Sequence, residues 1–257
     1  MDSEPIIKPT KDGSSTLYSP TFAQHYHNPN GAVAESHYNF FETTGILEEI
    51  RQLRSFNIFE TGFGTGMNLI LLLDELEKVS YSGAVTFLSV EAYPITVETV
   101  SKLQFGTGSD LEKHKPLLEK IFRESKPGMN RFELGSGLTL LLYIGQFDQL
   151  FEEEKISEKF QFIFHDPFSP EVNAELWTPD VFKKLISIST PDALLSTYCA
   201  ATSARAAMAV AGWFVAKNRG ALGKREMTLA APDADRLAGW KRVNEKRLIE
   251  RFKNGEF

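Results

Sequence analysis

The sequence predicts an α/β fold with a mostly parallel sheet of seven strands, and two observations lead to this prediction. From Ser55 onward, short apolar runs alternate with helical stretches, which is typical of a sheet covered by helices on both faces. The first apolar run also passes directly into a glycine-rich turn and then a helix, as the first strand of such folds does. The candidate strands are Phe56–Glu60, Ala84–Val90, Leu138–Ile144, Phe160–His165, Ala193–Thr197, Trp213–Asn218 and Met227–Ala231. The candidate helices are Asn68–Lys78, Pro94–Leu103, Leu111–Phe122, Pro179–Ile188 and Ser203–Ala211.

Four segments are expected along the chain. Turn residues at Lys11–Ser14 and Asn28–Gly31 separate short aromatic and β-branched pieces, which predicts an N-terminal β extension. The long connection between the second and third strands contains its own helical pattern, which predicts a small helical insertion. The basic residues from Arg236 onward fit either a solvated helix end or an RNA-binding segment. The expected bounds are 1–54 for the N-terminal extension, 55–232 for the main domain, about 106–131 for the insertion within it, and 233–257 for the basic C-terminal tail.

Composition places the chain among ordinary globular proteins. Its 257 residues are 42% apolar and 24% charged, which excludes a disordered, collagenous or disulfide-rich protein. The opening Met1–Pro5 has no basic start and no apolar core of a signal peptide follows, so we expect a cytoplasmic protein without membrane contact. The net charge of −6 gives no general attraction to nucleic acid, and any RNA contact needs a local basic patch.

The glycine-rich turn Glu60-Thr61-Gly62-Phe63-Gly64-Thr65-Gly66 is the first candidate site. Its glycines allow the backbone to turn sharply and approach a ligand, and the helix that follows offers free N–H groups. A dinucleotide enzyme would have its third glycine one residue later. An acidic residue at the strand end suits a cationic sulfonium better than a pyrophosphate. The turn therefore predicts S-adenosyl-L-methionine as the cofactor, with a ligand-free tight turn as the plain alternative.

Glu91 ends the second predicted strand and is the second candidate. Ligands of open α/β sheets lie beyond the carboxyl ends of the strands, where an acidic residue can accept hydrogen bonds from both ribose hydroxyls. Because nicotinamide enzymes share this feature, Glu91 supports a ribose-bearing cofactor without choosing between the two classes.

The segment His165-Asp166-Pro167-Phe168-Ser169-Pro170 follows the fourth predicted strand. Two prolines stiffen it, and Asp166 stands where a substrate would meet the cofactor. Capping of the next turn by Asp166 is an equal alternative. We expect His165 to be a packed core histidine, Cys199 to be a buried structural thiol, and the three N-terminal histidines to bind no metal: His25, His27 and His37.

A third polar segment, Gly220–Met227, separates the last two strands. Lys224 and Arg225 lie beside glycines and could clasp a phosphate, although a solvated hairpin is the ordinary interpretation.

At these residues the chain resembles the methyltransferase part of MnmC-type tRNA modification enzymes, including stand-alone versions without the oxidase domain. The shared marks run from about Thr10 to Ala231: Thr10–Leu17, Glu35-Ser36, Glu60–Asn68, Asp166–Pro170, Trp177-Thr178 and Gly223–Met227. The resemblance implies a Rossmann-like class I methyltransferase fold. It also implies methyl transfer from S-adenosyl-L-methionine to the aminomethyl group on a wobble uridine of tRNA, a group supplied by upstream modification enzymes.

The resemblance also implies roles for individual residues. Asp166 would be catalytic and would face the substrate amine. The substrate-binding residues would be Phe168, Lys224 and Arg225. The cofactor-binding residues would be Glu60, Gly62, Phe63, Gly64, Thr65, Gly66, Asn68, Glu91, Gln146 and Asp166.

Two departures from the family pattern stand at the expected site. Pro167 replaces a small residue that often follows the aspartate, so we expect a differently posed loop. Gln146 stands where many members have an aspartate, and its carbonyl can still accept from the adenine amino group. Without an oxidase domain, we expect the chain not to process the carboxymethylaminomethyl form.

The mechanism expected from the sequence is in-line methyl transfer to a neutral amine, with both reactants held in near-attack geometry. Because an ordinary carboxylate is a feeble base, Asp166 is expected mainly to position the amine. Three rivals stay open: a methyltransferase acting on a small-molecule amine, a nicotinamide-dependent oxidoreductase, and a cofactor-binding protein without catalysis.

Overall fold

A nine-stranded mixed sheet forms the centre of this computed structural model, which describes residues 4–106 and 110–257. Strands are numbered β1 to β12 in chain order, and the first three form a separate small sheet. The strands are β1 (Ile6–Pro9), β2 (Ser15–Ser19), β3 (Gln24–His25), β4 (Phe56–Thr61), β5 (Val85–Glu91), β6 (Gly128–Glu133), β7 (Leu138–Ile144), β8 (Phe160–His165), β9 (Ser189–Thr197), β10 (Phe214–Asn218), β11 (Met227–Ala231) and β12 (Lys241–Arg242).

The order of strands in the large sheet is β12-β10-β11-β9-β8-β4-β5-β7-β6. Strand β4 lies between β5 and β8 and pairs in parallel with both, with Phe59 opposite Leu88 on one side and Ile163 on the other. The chain order reverses at β4, which makes the carboxyl end of this strand a topological switch point where α/β proteins bind ligands. Thr61, Glu91 and the residues after β8 therefore meet at one edge of the sheet.

The prediction of seven strands is corrected to nine, because β6 and β12 were missed. Four of the eight pairings within the described chain are antiparallel, so the sheet is mixed. Strand β6 is polar and only partly buried, and its backbone pairing with β7 stabilises it as a strand. The insertion predicted at about 106–131 is thus helical only up to Glu124 and then joins the sheet edge, while its residues 107–109 lie outside the described chain.

Helices cover both faces of the sheet. Alternate strand residues point to opposite faces, so Ile58 joins the core beneath the helix after the glycine-rich turn, and Phe59 joins the core on the other face. Burial on both faces explains the continuous apolar runs of the central strands. The helices are α1 (Ala32–Ser36), α2 (Ile46–Arg51), α3 (Met67–Lys78), α4 (Val97–Lys102), α5 (Lys115–Glu124), α6 (Phe147–Glu153), α7 (Pro179–Ile188), α8 (Thr202–Val210) and α9 (Glu245–Lys253), with a π-helix at His37–Glu42.

The predicted N-terminal β extension is confirmed as the antiparallel sheet β1-β2-β3. Asp12 organises its first turn by accepting hydrogen bonds from Thr10 Oγ1 at 2.6 Å and from the Ser14 backbone N–H at 3.1 Å. The Ser15 N–H donates to the Gln104 carbonyl at 2.7 Å, which ties this sheet to the main body. The loop around β3 is thereby held over the carboxyl edge of the large sheet.

The basic C-terminal segment ends in α9, which packs on α8 through Leu248 against Ala206 and Ala209. Leu248 is the buried residue of a helix whose lysines and arginines are otherwise at least partly exposed. In the described part of the chain, none of the helices combines the length and the apolar character that crossing a membrane requires.

Candidate functional site

A cavity of about 410 Å³ opens at the carboxyl ends of β4, β5, β7 and β8. Its volume lies in the range of small-molecule sites. The glycine-rich turn forms its floor, and residues 22–29 of the N-terminal extension form one wall. Seven of the residues expected in the site line this cavity: Gly62, Gly64, Glu91, Gln146, Asp166, Phe168 and Lys224.

The turn depends on glycine at three positions. Gly62, Gly64 and Gly66 have φ values of +90°, +54° and +74°, in the left-handed region that side chains avoid. A Cβ on Gly62 would lie 3.0 Å from the carbonyl oxygen of Asp166. The turn and the Asp166 loop are therefore in backbone contact, and no larger residue fits between them.

Glu91 fixes the turn from the neighbouring strand. Its Oε2 accepts a hydrogen bond from the Gly64 N–H at 2.8 Å, and its Oε1 accepts one from the Tyr93 N–H at 2.7 Å. The lone pairs of this carboxylate that the backbone donors leave free could accept a hydrogen bond from a ribose hydroxyl. Burial raises the pKa of Glu91, and hydrogen bonds from the backbone of Gly64, Tyr93 and Ala92 oppose that rise.

Glu60 lies beneath the turn and does not line the cavity. Its side chain is 1% exposed, and its two oxygens accept from Asn68 Nδ2 at 2.8 Å and Ser89 Oγ at 2.6 Å. Asn68 also lines a small pocket with Asp166 and lowers the pKa of that carboxyl. Glu60 is thus linked to the cavity through Asn68. Burial, opposed by these hydrogen bonds, raises the pKa of Glu60 to about 7.

Glu60 should make the stability of the protein depend on pH. Between its ordinary pKa of 4.5 and its folded-state pKa of about 7, the folded state holds a proton that the unfolded state releases. The free energy of unfolding therefore falls as the pH rises through this interval. Glu60→Gln, which preserves shape, should be more stable than the wild type by about 1–3 kcal/mol at pH 8 and nearly equal to it at pH 4.

Urea unfolding at the two pH values measures this difference. Glu152→Gln, which removes an exposed carboxylate from α6, is the matched control and should show no such pH-dependent gain. An equal effect of Glu60→Gln at both pH values would contradict the role assigned to burial.

Asp166 stands at the junction of the turn and the cavity. Its backbone N–H donates to the Thr61 carbonyl at 3.0 Å, and its carboxylate lies beside Asn68. Burial first, and then the charges of Glu60 and Glu35, raise its pKa well above the ordinary value, while Lys224 and Asn68 oppose the rise. Asp166 is thus a stronger base than the ordinary carboxylate expected from the sequence.

Four hydrogen bonds hold the loop after Asp166. Tyr198 OH donates to the Pro167 carbonyl at 2.8 Å, and Trp177 Nε1 donates to the Phe168 carbonyl at 2.8 Å. Gln24, from β3, accepts from the Ser169 N–H at 2.9 Å and donates to Ser169 Oγ at 3.0 Å. The segment that contains Pro167 is therefore a well-anchored wall of the site.

Aromatic side chains surround Phe168 at the side of the cavity. Phe22 stacks on Phe168 with ring centroids 4.5 Å apart, and Tyr26 meets its edge at 5.0 Å. Both partners come from the N-terminal extension and line the cavity. Neither residue was predicted from the sequence, because isolated aromatic residues in a turn-rich segment carry no pattern.

The structure separates Lys224 from Arg225. Lys224 lies in the cavity and its Nζ donates to Glu35 Oε1 at 2.6 Å, whereas Arg225 is exposed and does not line the cavity. Glu35 and Tyr198 also line the cavity and were not among the expected site residues. Glu35 did carry a signal, since Glu35-Ser36 is one of the marks shared with the resembled family.

Four further expected residues lie outside the main cavity: Phe63, Asn68, Thr65 and Gly66. Phe63 and Asn68 line a smaller adjoining pocket together with His27 and Asp166. Thr65 is 1% exposed, so its side chain belongs to the interior. A Cβ on Gly66 would lie 2.6 Å from Leu118 Cδ2, so Gly66 allows the turn to pack against α5.

His165 and Cys199 are structural, as predicted. His165 is fully buried, its Nε2 donates to the Leu176 carbonyl at 3.0 Å, and burial lowers its pKa to about 3. Burial raises the pKa of the Cys199 thiol to about 11. Within residues 4–106 and 110–257, no three His, Cys, Asp or Glu side chains come together to hold a metal ion.

Comparison with known proteins gives three kinds of similarity. A family model described as S-adenosyl-L-methionine-dependent methyltransferase matches residues 110–233. The tRNA 5-methylaminomethyl-2-thiouridine biosynthesis bifunctional protein MnmC of Cupriavidus metallidurans is 32% identical over 230 residues, which are 88% of this chain and 33% of that protein. The corresponding protein of Burkholderia pseudomallei is 30% identical over 222 residues, which are 82% of this chain and 33% of that protein.

The chain therefore spans about a third of the length of the curated relatives it matches. The crystal structure of MnmC2 from Aquifex aeolicus has a TM-score of 0.76 and 26% identity, and the similarity covers 98% of this chain and 76% of that one. These similarities favour a methyltransferase over the nicotinamide oxidoreductase.

Proposed function

We propose that this chain, which is similar to S-adenosyl-L-methionine-dependent methyltransferases and to MnmC proteins, methylates tRNA. The cofactor's methyl group is transferred to the aminomethyl nitrogen of a modified wobble uridine, which converts 5-aminomethyl-2-thiouridine to 5-methylaminomethyl-2-thiouridine. Upstream wobble-uridine enzymes supply the aminomethyl group, and the reaction takes place in the cytoplasm.

One observation carries this proposal: the cavity beside the glycine-rich turn is acidic. Among the described residues that line it, four carboxylates face a single lysine: Glu35, Glu91, Asp166 and Glu175 against Lys224. A partly enclosed acidic cavity favours cationic ligands. Both reactants of the proposed reaction carry positive charge, since the methyl donor is a sulfonium and an alkylamine is mostly protonated at pH 7.

The residues at the turn fit the cofactor. Gly62 and Gly64 keep the backbone open to close approach. Thr61 also lines the cavity, and its buried Oγ1 has no hydrogen-bond partner among the described atoms. Glu91 would hold the ribose, and Gln146, at the edge of the cavity, would meet the adenine. When bound, the cofactor supplies an electrophilic methyl group on its sulfonium.

Asp166 has the central chemical role in the proposed reaction. The substrate amine must lose a proton before its lone pair can attack, and Asp166, with its raised pKa, accepts that proton. The Pro167–Ser169 loop, anchored by Tyr198, Trp177 and Gln24, holds the carboxylate in place. The stacked rings of Phe22 and Phe168 give the cavity an apolar side, which would limit the access of water to the neutral amine.

The tRNA backbone is proposed to contact basic residues outside the cavity. Arg225 is exposed next to Lys224, and the C-terminal segment adds further lysines and arginines. Because the chain as a whole carries a charge of −6, these contacts are local, and binding should weaken steeply with salt.

Methyl transfer from labelled cofactor tests the proposal. The purified protein should label tRNA that carries aminomethyluridine, and raising the salt concentration should sharply reduce tRNA binding. Label on a free small-molecule amine, with none on tRNA, would favour the rival methyltransferase. Tight binding of NAD in place of S-adenosyl-L-methionine would favour the oxidoreductase instead.

A further inference from the structure

We propose that Glu35 and Tyr198 form the binding site for the substrate's alkylammonium group, and that the side chain of Lys224 occupies this site in the free protein. This inference rests on the proposed function, because it names the part of the cavity that receives the amine. Lys224 is then a displaceable internal cation, and it is not a phosphate contact.

The contacts of Lys224 describe the site. Its Nζ donates to Glu35 Oε1 at 2.6 Å and lies 5.2 Å from the centroid of the Tyr198 ring. A carboxylate beside an aromatic face is the arrangement that proteins use to bind alkylammonium groups. All three residues line the same cavity as Asp166.

Glu35 requires a cation at this position. The residue is only 7% exposed, and its Oε2 is already used by the Asn28 backbone N–H at 2.7 Å. Among the described residues, Lys224 is its only ion-pair partner. A buried carboxylate without a partner is costly, so Lys224 can leave this position when another cation enters the cavity and takes its place.

The two acceptors are fixed, whereas the lysine is movable. Tyr198 is anchored to the Pro167 carbonyl, and Glu35 is anchored to the Asn28 backbone. The side chain of Lys224 is 40% exposed, and it follows a turn in which Leu222 and Gly223 have φ values of +50° and +84°. The substrate can therefore displace the lysine without disturbing the carboxylate or the ring.

The site also lies next to the proton acceptor. Both Glu35 and Lys224 act electrostatically on Asp166, and Tyr198 holds the loop that follows it. An ammonium group held by Glu35 would therefore lie in the same cavity as the carboxylate that takes its proton.

The neighbours Lys224 and Arg225 provide a matched pair of variants for the test. Lys224→Met should lower the KM for aminomethyl-tRNA by about three- to five-fold, because the substrate no longer competes with the lysine, and should leave the salt dependence unchanged. Arg225→Met should raise KM and reduce the slope of log KM against log salt by about one. If Lys224→Met behaves like Arg225→Met, Lys224 is a phosphate contact and the inference fails.

Binding of free nucleosides tests the site without turnover. In calorimetric titrations, the wild type should bind 5-aminomethyluridine at least about ten-fold more tightly than the uncharged 5-hydroxymethyluridine. Glu35→Gln should abolish this preference, and Lys224→Met should increase it. An unchanged preference in Glu35→Gln would overturn the inference.

The nucleoside titration and the methylation assay distinguish a failure of this inference from a failure of the proposed function. If the wild type prefers the aminomethyl nucleoside but methylates no tRNA, the ammonium site stands and the proposed function fails. Thermal unfolding checks the fold of each variant, and Lys224→Gln replaces Lys224→Met if the apolar side chain destabilises the protein.

Discussion

Asp166→Asn is expected to lower kcat for methyl transfer by about 10²- to 10⁴-fold, the usual contribution of a positioned general base. Asparagine preserves the shape of the side chain and a contact with Asn68, but it cannot accept the proton of the amine. Affinity for S-adenosyl-L-methionine should stay within about two-fold of the wild type, because the turn itself is unchanged. Asp166→Ala should likewise reduce turnover strongly and spare cofactor binding.

Single-turnover kinetics and a cofactor-binding titration measure the two effects separately. Glu171→Gln, the same chemical change on an exposed residue of the same loop, is the control and should retain activity. Near-normal turnover of Asp166→Asn would remove this residue from the catalytic site.

Asp166 also predicts the pH dependence of the rate. Its carboxylate must be deprotonated to act, so the rate should fall as the pH drops through its pKa. Burial and the neighbouring carboxylates raise that pKa, and the fall should therefore occur at a higher pH than for an ordinary aspartate. The residual activity of Asp166→Asn should not show this fall at acidic pH. If the fall is the same as in the wild type, a group other than Asp166 titrates.

Gly62→Ala is expected to weaken binding of S-adenosyl-L-methionine by about 10- to 100-fold, or about 1–3 kcal/mol, because the turn must move to admit the new Cβ. The residue has a φ of +90°, and a Cβ there would lie 3.0 Å from the carbonyl oxygen and 3.3 Å from the carbonyl carbon of Asp166. Since both atoms belong to the backbone, the turn and the Asp166 loop must move apart. Turnover should fall together with cofactor affinity.

Gly212→Ala is a control that introduces backbone strain without a collision. Gly212 has a φ of +100°, but a Cβ there would meet no atom within 4 Å. This variant should lose stability through strain and bind the cofactor normally. Equal cofactor affinities in the two variants, measured by calorimetry, would contradict the close approach of the turn to Asp166.

The central strands could be predicted from the sequence because they are buried on both faces. Strands β7, β8 and β11 begin and end at the predicted residues, since their apolar runs are continuous and bounded by polar segments. Strands β6 and β12 are polar and partly exposed, and they form because a neighbouring strand offers an unpaired edge. The local sequence of these strands contains no pattern that predicts such a pairing.

The same distinction applies to the candidate site. The glycine-rich turn and Asp166 lie in short motifs, so their chemistry can be inferred from neighbouring residues in the sequence. Glu35, Tyr198 and Phe22 reach the cavity from distant parts of the chain, and only the fold brings them together. The burial of Glu60 was also not predictable, because a strand-end carboxylate can face either the ligand or the interior.

The identity of the methylated nucleoside tests the central claim most directly. The protein is incubated with labelled S-adenosyl-L-methionine and total tRNA, the tRNA is digested, and the labelled nucleoside is identified by mass spectrometry. The account predicts that the label is on 5-methylaminomethyl-2-thiouridine and that Asp166→Asn does not form it. Label on a different nucleoside, or on a small molecule with none on tRNA, would contradict the account.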